Sequence, residues 1–263
     1  MDTETTPAGP ESSSEMSLAS RLANIVAAPG EVFDNIKTRP VVAANWLVPA
    51  FLFIVLSWIS AVVVFSQDSV KQQLNDMTEK AIERQIATGK MTQEEADKAR
   101  DIGQKWAGIS YKIGGGAAPV LIAFASPFWW GLLLWLAGAK ALQGGFSYMK
   151  AVEMVGLANI ILALDVVVRT LLIVVTGNLF AAPSLALLIK EYDPQNTLHG
   201  LLALANATVI WILIVRSIGL ARISRVTFAK AAVWVVGLWV LQTGTLFGFG
   251  EFMKALGKAA AAK

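Results

Sequence analysis

The sequence predicts an all-α integral membrane protein: a helical bundle with five transmembrane helices, N-terminal amphipathic helices and an extramembrane helical hairpin between the first two spans. Three observations predict it. Hydrophobic residues make up 55% of the 263 and charged residues only 16%, against about 45–50% and about 25% in soluble domains. The charges are gathered in a few segments. Between them lie runs that reach the roughly 20 apolar residues needed to cross about 30 Å of hydrocarbon.

Residues 1–16 are rich in Thr, Pro, Glu and Ser and cannot bury enough surface to fold, which predicts a disordered tail. No basic stretch precedes an apolar core, so the tail does not read as a signal peptide. Residues 17–40 form an amphipathic segment. Leu18, Leu22, Ile25 and Val26 recur at helical spacing, and Val32, Phe33 and Ile36 resume the pattern after Pro29-Gly30, which separates two short helices. Such a stripe suits a helix lying on the membrane surface. It suits equally a helix packed on the bundle.

Residues 41–250 read as a five-span domain, followed by a Lys/Ala-rich tail over 251–263. The first span is expected at about 43–65, uncharged, with Trp46 and Pro49 near its start. Residues 66–112 are the long polar insertion. Val70, Leu74, Met77 and Ile82 give a helical stripe and Thr88-Gly89-Lys90 a turn. Thr92 with Glu95 three residues later makes a capping box. An extramembrane helical hairpin is therefore expected, either separate from the flanking spans or continuous with them. The second span, about 113–139, has no charge; Gly114-Gly115-Gly116, Pro119 and Pro127 predict an irregular helix. The third span, about 151–175, carries Asp165 and Arg169, four apart on one face. Residues 180–189 are apolar but short, with Pro183 inside, and predict an interfacial helix. The fourth span is expected at about 198–220 and the fifth at about 231–249.

Orientation follows the short loops. With the N-terminus inside, Lys37, Arg39, Lys140, Lys150, Arg216, Arg222, Arg225 and Lys230 lie on the inner side, while the short outer loop holds Lys190. The C-terminus then lies outside. This topology also accounts for the net charge of +3 and pI near 9.1 without invoking nucleic acid.

The absence of cysteine excludes disulfides, thiolate metal sites and cysteine nucleophiles, and a single histidine, His199, excludes a multi-histidine metal centre. His199 reads as interfacial. Gly114-Gly115-Gly116 lacks the following Gly-Lys-Ser/Thr of a phosphate loop, and no serine sits in a Gly-x-Ser-x-Gly elbow. No catalytic, metal-binding or cofactor-binding constellation is found, so the chain does not read as an enzyme, and no cofactor is called for. Gly131 and Gly138 read as helix-packing positions. Trp58 and Trp211 are placed deeper in the bilayer than the other tryptophans.

The candidate polar sites lie within the spans. Asp165 and Arg169 are the sharpest, because intramembrane charges are costly and often functional. One reading is a proton or ion path. The other is a structural ion pair that holds the third span to its neighbours, with Asn159 or Asn206 as added partners. Arg216, near the expected end of the fourth span, reads as a side chain reaching back to the interface.

The order of these pieces resembles a known family. Residues 22–40, with Pro29, Phe33, Ile36 and Pro40, resemble the start of bacterial Yip proteins, the relatives of eukaryotic Ypt/Rab-interacting proteins. Residues 142–160 resemble that family's glycine pair, aromatic residue and start of the third span. Residues 207–236 resemble its fourth span, basic loop with Gly219, and start of the fifth. The resemblance implies five helices and a cytosolic N-terminus, here in a bacterial inner membrane. It places an acidic residue near Asn206 in many relatives, and the amide here weakens any charge-dependent role. For eukaryotic members it implies vesicle trafficking with Rab GTPases; this chain lacks the long cytosolic N-terminal domain for a GTPase to grip, so that partnership is not carried over. The expected function is a non-enzymatic membrane protein that organises or recruits partners. Its partners would be the lipid bilayer and other proteins or further copies of itself. The alternative is a transporter or channel component that uses Asp165 and Arg169.

Overall fold

The computed structural model describes residues 16–189, 192–193 and 196–260, and apart from Met16 the expected tail over 1–16 lies outside them. The described chain is helical. It runs α1 (Leu18–Ala27), α2 (Pro29–Lys37), α3 (Ala44–Ser66), α4 (Asp68–Ala87), α5 (Gln93–Lys112), α6 (Ala118–Trp135), α7 (Tyr148–Ala158), α8 (Ile160–Thr176), α9 (Thr197–Leu204), α10 (Ala207–Ser224) and α11 (Phe228–Ala260). Five helical stretches are long and apolar enough to cross a membrane: Ala44–Ser66, Gly115–Ala141, Tyr148–Thr176, Ala207–Ser224 and Phe228–Gly257. The protein is therefore a multi-pass membrane protein.

The axis of the bundle is α7. Every residue from Lys150 to Ile161 is buried, because α3, α6, α10 and α1 all pack on it. Small residues allow the close approach. A Cβ added at Gly156 would run into the Cα and Cβ of Trp46 on α3. One at Gly131 would stand 2.9 Å from the Val152 side chain, and one at Gly138 2.6 Å from Leu220. One at Gly219 would stand 2.8 Å from Met154 and 2.9 Å from Phe33. Gly131 and Gly138 thus do the packing work their sequence context suggests.

The two N-terminal helices resolve the open alternative in favour of the bundle. Ser17 caps α1 by accepting from the Ser20 N–H, and Pro29 starts α2 after the break. Ile25, Val32 and Phe33 are fully buried and Ile36 is nearly so, in the same core as Met154, Leu157 and Leu220. Each such burial is worth about 1.5–3 kcal/mol relative to water. The apolar stripe is consumed by α7 and α10 and is not left for lipid.

The other departures have local causes. α3 stops at Ser66 and α4 starts at Asp68, so the hairpin is almost continuous with the first span. Its turn is closed by Gly89 at φ 68°, and Arg100 on α5 pairs with Glu79 on α4 at 3.1 Å. The irregularity of the second span takes the form of two π-helical turns, Ile113–Ala117 and Leu136–Ala141. The third span breaks at Asn159 between α7 and α8. Residues 180–189 do not form the expected interfacial helix. They are a loop with one 3-10 turn, Leu185–Leu188, held by an antiparallel bridge from Ser184 to Asn206. The fourth span starts at Ala207, not near residue 198, because the Asn206 side chain accepts from the Thr208 and Val209 N–H groups and caps α10. Thr197–Leu204 is a separate helix. The last helix continues through the expected tail to Ala260. Trp58 is half-exposed and donates to the Gly116 carbonyl at 3.0 Å.

Two measurements test this packing. Gly156→Ala is expected to lower the thermal stability of the detergent-purified protein by about 1–3 kcal/mol, because backbone of α3 must give way. Gly237→Ala on α11, where an added Cβ meets nothing, is expected to raise it by up to about 1 kcal/mol through helix propensity alone.

The capping box predicts a pH dependence. The Thr92 backbone N–H, and then the Thr92 hydroxyl, donate to the Glu95 carboxylate and hold its pKa below the usual carboxylate value. The folded state thus favours the ionised form. The stabilisation is present above the ordinary carboxylate pKa and is lost as pH falls through the depressed one. Hydrogen-exchange protection of the first turn of α5 is expected to drop across that acid window in the native protein, and to be flat in Glu95→Gln.

Candidate functional site

Three polar clusters stand out, and the sequence patterns foretold only part of them. The largest lies where α1, α2, the 38–43 connection, α3 and α7 meet. Glu153, fully buried on α7, accepts from the Asn45 amide at 2.6 Å and from the Val42 backbone N–H at 3.1 Å through Oε1. Its other oxygen, Oε2, accepts from the Lys150 ammonium at 2.5 Å. Lys150 spends its remaining donors on the carbonyls of Ile36 (2.9 Å), in the last turn of α2, and Arg39 (3.0 Å), just past its end. Arg21 on α1 reaches Asn45 at 3.4 Å and Asn35 on α2 at 3.3 Å. Arg21, Asn35, Asn45, Lys150 and Glu153 are all buried. A buried charge pair is tolerated only when its remaining lone pairs and protons are also satisfied, and here they are.

Lys150 was expected in an inner loop, and Glu153 was not singled out as a site. Their i,i+3 spacing at the start of a span resembles ordinary loop charge. The available signal was the pair itself: an acidic residue three places into an otherwise apolar run needs a partner.

The second cluster joins three spans. Arg216 is buried in the middle of α10, so it does not reach back to the interface. Its Nη2 donates to the Asn159 carbonyl oxygen at 3.0 Å, and the Asn159 amide donates to Ser126 at 3.3 Å. The guanidinium lies 4.5 Å from the centre of the Trp130 ring, a cation–π contact. Its Nε has no partner, and no carboxylate pairs with it among the described residues. Asn159 is thus a buried amide whose partners are Arg216 and Ser126.

The third is the pair chosen from sequence. Arg169 Nε donates to Asp165 Oδ2 at 2.7 Å on α8. Neither Asn159 nor Asn206 joins it: the first binds Arg216 and the second caps α10. Among the described residues the pair makes no polar bond that ties the third span to a neighbour. The Arg169 side chain is 45% exposed and that of Asp165 only 15%, and Asp165 Oδ1 is buried without a partner. His199, at the start of α9, accepts from the Asp193 backbone N–H through Nδ1 at 3.0 Å and stacks on Tyr192. Among the described residues no group of three His, Asp or Glu side chains converges as a metal site would.

The geometry is that of a membrane bundle with buried polar locks at one end and midway, and a half-open ion pair towards the other. A family model described as the Yip1 domain matches residues 23–249. No curated protein and no solved structure matches the chain.

The buried cluster has a measurable signature. Lys150→Met strands the Glu153 carboxylate and is expected to cost about 3–5 kcal/mol of stability. Adding Glu153→Gln is expected to restore most of it in the same melting experiment. Arg216→Met, which removes a charge with no counter-ion, is expected to leave the melting temperature unchanged or raise it.

Proposed function

The chain belongs to the Yip1-domain family, and on that premise we propose that it is a non-enzymatic membrane protein that organises or recruits other proteins from the cytoplasmic face of a bacterial inner membrane. One observation carries this reading: the two N-terminal helices are fixed to the bundle by the Lys150–Glu153 cluster, and together with the helix ends beside them they make a rigid basic face. Lys37, Lys140, Arg222, Arg225 and Lys230 are exposed there and Arg39 is half-buried, against Glu31 and Asp34 of the opposite sign. Asp34 bridges Lys37 at 2.7 Å and Arg222 at 3.1 Å, which ties α2 to the end of α10.

The excess of Lys and Arg at this end supports its cytoplasmic placement by the positive-inside tendency. A rigid platform loses little entropy when a partner docks. Positive charge steers acidic partners and anionic lipid alike. The family match supports the reading as well, since it covers the second half of α1 and all of α2.

The test is photocrosslinking in the native membrane, with a crosslinking residue placed at Lys37 or Arg225. A reproducible protein adduct at both positions, lost on Lys230→Glu with Lys140→Glu, is expected. Adducts with lipid alone, together with solute flux in liposomes that Asp165→Asn abolishes, would replace this reading with transport.

A further inference from the structure

A cavity of about 280 Å3 opens beside Arg169, towards the end of the bundle away from the N-terminal helices. Ile173 on α8, Leu179 and Phe180 in the following loop, and Leu204 on α9 make its walls apolar, and Tyr192 closes one side. These walls are built, not incidental. Phe180 packs on Tyr192 at 4.9 Å and Tyr192 on His199 at 5.8 Å. Gln73 of the hairpin accepts from the Leu179 N–H at 2.8 Å. The Ala207 N–H donates to the Pro183 carbonyl at 2.8 Å and so joins the loop to the start of α10.

Among the described residues lining this cavity, the one charged group is the Arg169 guanidinium. Asp165 takes only its Nε proton, and neither Nη group makes a hydrogen bond among the described residues. A guanidinium offers five donors, so four N–H groups remain. The same side chain is itself 45% exposed, beside the surface that Val168 and Leu171 on the same helix, 40% and 60% exposed, turn to lipid. Depth agrees. The span Tyr148–Thr176 has 29 residues, about 43 Å of helix, and Arg169 lies seven residues, about 10 Å, before its end. That places it at the edge of a roughly 30 Å hydrocarbon layer, within reach of the phosphate level.

We infer that this cavity is a phospholipid site: Arg169 binds the lipid phosphate through its Nη groups, and the adjoining apolar hollow takes the first part of an acyl chain. Guanidinium and phosphate match in geometry and charge. The volume lies just below the range of small-molecule pockets, enough for a segment of a lipid and not for a whole one. Asp165 is a positioning residue, which fixes the guanidinium so that its free edge faces the cavity mouth.

The full chain in nanodiscs of phosphatidylglycerol and phosphatidylcholine provides the test. A trace phosphatidylglycerol bearing a mid-chain diazirine is photolysed, and labelling of residues 179–182 and 203–204 is measured against the exposed Val233, Val236, Val240 and Leu241 of α11 in the same sample. The cavity is expected to be labelled preferentially. Arg169→Gln is expected to lower that ratio by roughly tenfold, the effect of losing a hydrogen bond to a charged group, and Arg169→Lys to keep most of it. Ala203→Trp, which fills the hollow and leaves Arg169 in place, is expected to abolish the preference. An unchanged ratio in both Arg169→Gln and Ala203→Trp overturns the site. Equal cavity labelling by a diazirine diacylglycerol, which lacks phosphate, overturns the role of Arg169. Competition by inorganic phosphate replaces the lipid with a free anion. The α11 labelling reports insertion in every variant, so a misfolded Ala203→Trp protein is recognised and the Arg169 variants decide.

Discussion

A carboxylate at the axis of a membrane bundle must have its lone pairs answered by donors, and Glu153 obtains them from three separate pieces of chain. Lys150 lies one turn back on the same helix, Asn45 starts the first span, and Val42 lies in the connection before it. Lys150 in turn holds two carbonyls at the C-terminal end of α2. One buried pair therefore sets the positions of α2, α3 and α7 relative to each other. Apolar packing cannot do this alone, because in lipid a leucine gains little by facing protein instead of acyl chain. Directional bonds fix rotation and register where the hydrophobic effect is indifferent. The cluster also anchors α2, whose Lys37 lies on the proposed basic face.

The bundle uses its polar groups unevenly along the membrane normal. At the N-terminal end the Lys150–Glu153 pair is compensated and fully bonded. Midway, Arg216 has an amide and an aromatic face but no anion among the described residues. Towards the far end Arg169 is half-open, with an anchoring carboxylate on one side and an apolar hollow on the other. The progression runs from structural lock to accessible group. Accessibility, more than charge, separates a residue that holds the fold from one that meets a ligand.

The last helix marks the opposite limit. Only 6% of its apolar window is buried within the chain, against 56% for α10, yet the two are about equally apolar. Its glycines at 237, 244 and 248 face open space, whereas Gly131, Gly156 and Gly219 are each filled by a neighbour. Glycine in a span is a licence for close approach that the fold uses in one helix and leaves unused in another.

By itself the sequence determined the class, the number of spans and the hairpin, because those depend on length, charge-free runs and local capping. Thr92 and Glu95 form the capping box their spacing requires, and Asp165 and Arg169 form the pair that four-residue spacing allows. What it did not determine is which faces meet. A stripe such as Ile25, Val32, Phe33 and Ile36 is equally suited to lipid and to protein, and only the positions of α7 and α10 decided it. Arg216 read as terminal because its span was begun at residue 198; the Asn206 cap starts the helix at Ala207 and moves Arg216 to mid-bundle. Glu153 stayed hidden among loop charges because its partners Asn45 and Val42 lie more than 100 residues away in sequence. Local rules act over one or two helical turns, while the rotation of each helix about its axis is set by contacts that only the assembled bundle supplies.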